Sequence, residues 1–444
     1  MAYQIFNFDS VGNGVRADLS TTDDMYVKAG VIVGREDAVT GNDYTVGGQG
    51  SDHSIEVDGR ITGGGVAIWL GDGVADNSNS LKIGATGVVQ SVGANAIVVN
   101  GHSNSFENAG RIEATINGLF LNGPSGSGST RVENTGTIDV GANAISHVGG
   151  TQTVEIFNRG FIRGDSEAIV ASGSGVDKVY NTGTIIGAVS LGGGDDLFDG
   201  RGGSLNGVVF GEDGNDRLFG DSGADYLVGG DGNDEMRGGR GNDFYLSDVA
   251  SDLIVELAGQ GTDAILSYKS RTLGANIENL ELLTNTASFG IGNTLANSIT
   301  GDSMNNTLRG LAGKDTLLGN KGDDKLTGGI GADKLTGGLG ADRFIFNSVA
   351  ESRAAGGIDK IVDFSRAQKD KIQLDLIDAD TTQAGNQAFS FIGTKAFSGK
   401  AGELRYAKAS SGSIITADLN GDGKADFTVI SDVAVNFSKG DFVL

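Results

Sequence analysis

The chain has 444 residues with 76 Gly, a single Pro and no Cys, and Lys+Arg 33 against Asp+Glu 57 leave a formal net charge of −24. That balance repels a phosphate backbone, so nucleic acid is not an expected partner, and the missing cysteines exclude a disulfide framework and a thiolate metal site. Gly and β-branched residues interrupt every stretch, which excludes a helix-rich fold; because the glycines recur at fixed spacing between apolar residues, they imply tight turns joining short strands rather than a disordered linker.

The first residues, Met1 to Asp9, show no basic region followed by an apolar core, so no cleaved secretory signal is expected there. No apolar run approaches the ~20 residues of a bilayer span, and no transmembrane segment is expected. From about residue 25 to 190 a loose repeat centres on Asn/Asp-x-Gly-x-Ile/Val, clearest at Asn108-Ala109-Gly110, Asn134-Thr135-Gly136, Asn158-Arg159-Gly160 and Asn181-Thr182-Gly183. Its glycines stand at 30, 59, 87, 110, 136, 160 and 183, which is 23 to 29 residues apart. Each step holds two further apolar patches, such as Ala96-Ile97-Val98-Val99 and Val154-Glu155-Ile156-Phe157. Three short alternating segments per step describe one coil of a right-handed parallel β-helix over 1–190. The recurring Asn could line a ligand groove or form an internal hydrogen-bonded ladder at a corner; the ladder is the favoured reading.

The period then shortens to nine. Four uninterrupted units cover 211–246, preceded by a lead-in copy at 191–199 and a worn one at 202–210. A different, strand-like segment covers 247–290. A second block spans 291–346; it opens with two eroded units at 292–300 and 301–309 and continues with four full ones. Beyond it, 347–444 reads as a non-repetitive β-rich domain. The whole is expected to be all-β: a parallel β-helix continuing into two β-rolls, then the C-terminal domain.

The unit is Gly-Gly-x-Gly-x-Asp-x-U-x, where U is a large apolar residue. Three glycines let six residues turn with carbonyls aimed at one spot, and the aspartate adds a short, hard carboxylate. Oxygen ligands without His or Cys favour Ca²⁺. The expected calcium ligands are Asp196, Asp216, Asp225, Asp234, Asp243, Asp315, Asp324, Asp333 and Asp342, together with backbone carbonyls of the glycine-rich loops. Two units complete a turn, so Asp216 should share an ion with Asp234, Asp225 with Asp243, Asp315 with Asp333, and Asp324 with Asp342. Stacked carboxylates without the ion would repel, so binding and folding should be one event. Asn297 and Asn306 replace the aspartate in the eroded units, and no site is expected there. A further candidate is Asp418, Asn420, Asp422 and Asp426, which resembles the opening of an EF-hand loop. Val429 stands where the bidentate Glu would be, and a plain Asn/Asp/Gly turn is the alternative.

These nonapeptides resemble those of the RTX family of calcium-binding bacterial proteins. The segment from Asp342-Arg343-Phe344 through Asp359-Lys360-Ile361-Val362-Asp363-Phe364 and Asp370-Lys371-Ile372 to the end is similar to the C-terminal domain of serralysin-type metalloproteases. The resemblance implies an uncleaved C-terminal secretion signal, with Asp441-Phe442-Val443-Leu444 as its acidic-then-apolar ending, read by a type I (ABC transporter) system. It also implies a secreted or cell-surface protein that folds in external calcium. It does not bring protease activity: His53, His102 and His147 are scattered, no His-Glu-x-x-His occurs, and each histidine is expected at a coil surface. No Gly-x-Ser-x-Gly elbow or phosphate loop is present. The expected function is a non-catalytic surface-layer, matrix or adhesin component, with cell-surface polysaccharide or self-assembly as its contacts. The alternative is a polysaccharide lyase or epimerase acting on acidic glycans through the β-helix.

Overall fold

The computed structural model describes residues 3–6, 10–11, 17–19, 23–34, 44–71, 78–123, 128–353 and 356–444. Most of the segment read for a secretory signal therefore lies outside the described residues. The chain divides into two compact units, Met1–Leu246 with Ser251–Val255, and Ser247–Ala250 with Glu256–Leu444.

In the first unit, one parallel sheet runs through strands from Tyr3–Phe6 and Asp24–Val27 to Glu235–Arg237 and Leu253–Ile254. The alternation of its strands turns every second residue to the core. Ile55, Leu81, Phe106, Val132, Ile156, Val179, Phe198, Leu218, Met236 and Ile254 stack in register as a single buried column. Burying one such side chain contributes roughly 1.5–3 kcal/mol, so the column is a main source of the unit's cohesion. It passes from the 25-residue coils into the nonapeptides without a break, and the fold is the expected parallel β-solenoid.

The strand pattern within a coil varies before the period changes. Between Arg111–Ala114 and Leu119–Asn122, and between Thr137–Val140 and Asn143–Val148, a corner separates two strands of the same coil. Phe161–Ser172 replaces both with one strand, pairing with Thr137–Val140 and with Asn143–Val148. Further along the stack the offset shortens, from 23 residues between Asn158 and Asn181 to eighteen between Asp216 and Asp234.

The recurring Asn side chains are internal. The Asn108 Nδ2 donates to Asn134 Oδ1 at 2.7 Å, Asn134 to Asn158 at 2.8 Å and Asn158 to Asn181 at 2.8 Å. All four are buried. Asn158 Oδ1 also accepts the N–H of Gly160, two residues on, which folds the corner. The glycine is obligatory there, because a Cβ on Gly160 would meet the Gly136 carbonyl oxygen at 2.2 Å. The ladder reading therefore holds over the groove reading.

In the second unit, a parallel sheet of Arg271–Thr272, Ser288–Ile291, Asn306–Ala312, Lys325–Ile330, Arg343–Ile345, Lys371–Gln373 and Phe442–Val443 faces a stack that includes Ser298–Thr300, Thr316–Leu318, Lys334–Thr336 and Asp359–Ile361. Leu308, Leu326, Phe344 and Ile372 form its inward column. Three antiparallel strands, Glu403–Ala409, Gly412–Asp418 and Phe427–Ser431, follow. Phe427–Ser431 pairs in parallel with Asp359–Ile361, so this segment is joined to the roll by sheet hydrogen bonds. Phe364, Phe437, Phe442 and Tyr406 pack ring on ring beside it.

Candidate metal centres

Each nonapeptide enters its core strand just after its sixth residue, and this places the aspartates one above another at the corners of the rolls. A single hydrogen-bond scheme links them: the backbone N–H of one aspartate donates to Oδ1 of the aspartate in the next coil. In the first unit it runs from Asp177 to Asp196 at 2.6 Å, on to Asp216 at 2.8 Å, to Asp234 at 2.9 Å and to Asp252 at 3.2 Å. On the opposite edge Asp225 donates to Asp243 at 2.8 Å. In the second unit one edge runs Asn297, Asp315, Asp333, Asp359, with distances of 2.7, 2.8 and 2.8 Å. The other runs Asn306, Asp324, Asp342, Asp370, with distances of 2.7, 2.9 and 3.1 Å.

The four expected pairs are therefore stacked neighbours, and the ladders extend past them. Asp177, Asp252, Asp359 and Asp370 join although the nine-residue pattern does not mark them. The same corner in the β-helix is held by neutral groups: the N–H of His53 donates to Asn79 Oδ1 at 3.2 Å and that of Asn79 to Asn104 Oδ1 at 3.0 Å.

One oxygen of each carboxylate is thus used, and the second decides the chemistry. Oδ2 of Asp196, Asp216, Asp315, Asp324, Asp333, Asp342 and Asp359 is buried with no hydrogen-bond donor. A buried polar atom without a partner costs free energy unless something supplies it. The surroundings are oxygens. A Cβ on Gly211, the first residue of its unit, would lie 2.3 Å from Asp216 Oδ2 and 2.4 Å from the Gly229 carbonyl oxygen. Glycine at that position keeps the space between carboxylate and carbonyl open. Gly319 does the same between Asp324 Oδ2, at 2.3 Å, and the Gly337 carbonyl oxygen, at 2.5 Å. Orphaned hard oxygens around a glycine-shaped gap fit Ca²⁺.

The electrostatics agree. Without a cation, burial pushes Asp196 and Asp359 up to about 8 and Asp225, Asp315 and Asp324 up to about 7, while Asp216 and Asp342 rise to about 6. Asp333 is raised as well. Burial is the leading cause, a backbone N–H opposes it, from the neighbouring coil at Asp315 and from Asp221 of the same unit at Asp225, and nearby carboxylates such as Asp333 beside Asp315 add to it. A bound cation would remove the penalty that burial imposes.

Two sets of residues behave otherwise. Asn297 and Asn306 carry amides that are satisfied internally: Asn306 Oδ1 accepts the Asp302 N–H at 2.8 Å and its Nδ2 donates to Ser288 Oγ at 3.0 Å. The loop 418–426 closes on itself. Asp418 accepts the N–H groups of Gly421 and Gly423, Asn420 that of Asp422, and Asp426 that of Leu419. Asp422 accepts that of Lys424. This is the bonding of a tight turn between two antiparallel strands.

The histidines correct the surface expectation. His53 and His147 are buried. His53 Nε2 lies 3.0 Å from the Gln49 carbonyl oxygen, and His147 Nδ1 lies 3.1 Å from Asp177 Oδ2. They sit on inward-facing corners, where a single polar residue leaves no periodic trace in the sequence. His102 is partly exposed.

On the β-helix a shallow groove of about 290 Å³ is lined by Arg111, Glu113, Asp139 and Arg163 among others. Its charges are mutually paired, Glu113 with Arg111 and Asp139 with Arg163. Among the described residues no helix is long and apolar enough to cross a membrane.

The family model for the RTX calcium-binding nonapeptide repeat matches four times, at residues 210–245, 291–326, 300–335 and 309–344. No curated protein matches the chain. Among solved structures, the AlgE6R2 subunit of a mannuronan C5-epimerase from Azotobacter vinelandii is similar at 24% identity, over 35% of this chain and 90% of that one, with a TM-score of 0.27. The AlgE6R3 subunit of the same epimerase is similar at 28% identity, over 34% and 80%, with a TM-score of 0.26. The chain thus carries RTX calcium-binding nonapeptide repeats, which bind calcium ions, in both of its units.

Proposed function

We propose that this is a non-catalytic extracellular protein, a surface-layer, matrix or adhesin component, exported unfolded by a type I system and folded by calcium outside the cell. The observation that carries the reading is the row of buried carboxylate oxygens without donors at the corners of both rolls. Such a row opposes folding where calcium is scarce and supports it where calcium is abundant. The ions belong at Asp196, Asp216, Asp234, Asp243, Asp315, Asp324, Asp333 and Asp342.

The C-terminal residues support the export route. Phe442–Val443 is the last strand of the second sheet, Phe442 is buried, and Arg366 holds Asp441 at 2.9 Å. A signal folded away in this manner is readable only in an unfolded chain. The non-catalytic reading rests on the paired charges of the β-helix groove, which leave no free acid and base facing each other there.

Co-production with a type I exporter tests the proposal. The full chain should reach the medium or the cell surface, and a chain ending before residue 347 should remain inside. Equal export of both would contradict the route. Incubating the exported protein with acidic polysaccharides should leave them unchanged; new unsaturated ends or altered epimer ratios would overturn the non-catalytic reading.

A further inference from the structure

Apart from the worn copy at 202–210, the nonapeptides carry Asp or Asn at the sixth residue and fall into two groups at the second. In the unit at 191–199 the second residue, Gly192, has φ +87°. Glu212, Gly230, Gly239, Leu311, Asn320, Gly329 and Gly338 hold the same place in their units, with φ of 75, 95, 101, 80, 74, 100 and 100°. All are left-handed. In the remaining units the second residue is Asp221, Asn293 or Asp302, and none of these has a positive φ.

The difference changes what the sixth side chain meets. In the second group the residue folds back and its own N–H caps that side chain. Asp221 donates to Asp225 Oδ2 at 2.8 Å, Asn293 to Asn297 Oδ1 at 2.7 Å and Asp302 to Asn306 Oδ1 at 2.8 Å. The fold-back is held by an Asx turn, with the N–H two residues on donating to Oδ1 of Asp221, Asn293 and Asp302. In the left-handed group the second residue pairs with the next coil instead, as Glu212 does with Gly230 and Leu311 with Gly329. There Oδ2 of Asp216 and Asp315 is left without a donor.

Holding a non-glycine residue left-handed costs of order 1–3 kcal/mol, and such strain collects at functional positions. Eight described non-glycine residues have positive φ, and three of them, Glu212, Leu311 and Asn320, are second residues of a repeat. The strained group includes a leucine, which gains nothing from that conformation by itself.

We infer that the second residue, through its handedness, selects which repeats hold calcium, and that the unit 220–228 is a closed spacer whose Asp225 carries no ion. This rests on the calcium reading above and removes one ligand from the set the sequence offers. Asp225 matches the repeat in full at its sixth position, yet its free oxygen is already occupied by the Asp221 N–H. It is bonded in the manner of Asn297 and Asn306, and the Asx turn at residue two is the mark that distinguishes the closed units.

Counting bound calcium on the full chain, by native mass spectrometry or elemental analysis after equilibrium with excess ion, tests the assignment. Asp225→Asn should bind as many ions as the unaltered chain, because the same cap already serves Asn297 and Asn306. Asp324→Asn should lose at least one ion. Asp221→Gly, which removes the Asx turn, should gain one. Equal losses in Asp225→Asn and Asp324→Asn would overturn the selection rule while leaving calcium binding itself intact. A chain that binds no calcium at all would overturn the proposed function and the rule together. Circular dichroism in saturating calcium checks that each variant folds; if Asp225→Asn does not, an unchanged count in Asp221→Gly overturns the rule.

Discussion

At the scale of single residues, two corner ladders do different work with similar geometry. The Asn ladder is complete in itself, since each Nδ2 finds the Oδ1 of the next coil and a carbonyl oxygen, as Asn158 does with Asn181 and Thr184. Replacing Asn134 by Ala would remove the rung from Asn108 Nδ2 and the rung to Asn158 Oδ1 together, leaving the first only the Thr137 carbonyl oxygen and the second only the Gly160 N–H. We expect a loss of about 1–3 kcal/mol, read as a lower denaturation midpoint of the calcium-loaded protein; an unchanged midpoint would show that the ladder contributes nothing. The aspartate ladders leave Oδ2 of Asp196, Asp216, Asp315, Asp324, Asp333, Asp342 and Asp359 without a donor and so depend on an ion. The recurrence of Asn before Gly, and of Asp after glycines, made both ladders legible in the sequence. Asp359 was not, because it stacks on Asp333 across 26 residues and falls outside the eighteen-residue rule. Nor was the capping of Asp225, which depends on a backbone dihedral rather than on its side-chain type.

At the scale of elements, the fold was readable because the strand alternation is strict wherever a column is buried. Ile55, Leu81, Phe106 and Val132 follow one another with polar neighbours on either side, and such a pattern admits only one register. The fusion of two strands into Phe161–Ser172 was hidden, because it involves no break in apolar spacing. The rolls also have a pH dependence of definite sign. Asp196, Asp216, Asp225, Asp315, Asp324, Asp342 and Asp359 are raised from an ordinary 3.8 to between about 6 and about 8 when no cation is present, so the folded, metal-free rolls bind protons more tightly than the unfolded chain. Metal-free stability is therefore greatest below the ordinary carboxylate range and falls as pH rises through 6 to 8. In chelator, β-structure should be stronger at about pH 5 than at about pH 8, as read by circular dichroism; the reverse order would contradict the account of the carboxylates.

At the scale of the molecule, the charge and the ions belong together. A net charge of −24 disfavours any compact state, and buried aspartates concentrate part of that charge where it costs most. Calcium offsets it at the corners, so the rolls in both units are expected to fold as the ions bind. The β-helix has a neutral corner, with Asn79 and Asn104 in place of the aspartates, and its coils should need the ions less. The most direct measurement is far-UV circular dichroism of the full chain, first in chelator at neutral pH and then across a titration into the millimolar range of calcium. The account predicts a large cooperative gain of β signal on adding calcium, superimposed on a smaller calcium-independent signal from the β-helix. A spectrum that does not change between chelator and saturating calcium would contradict it.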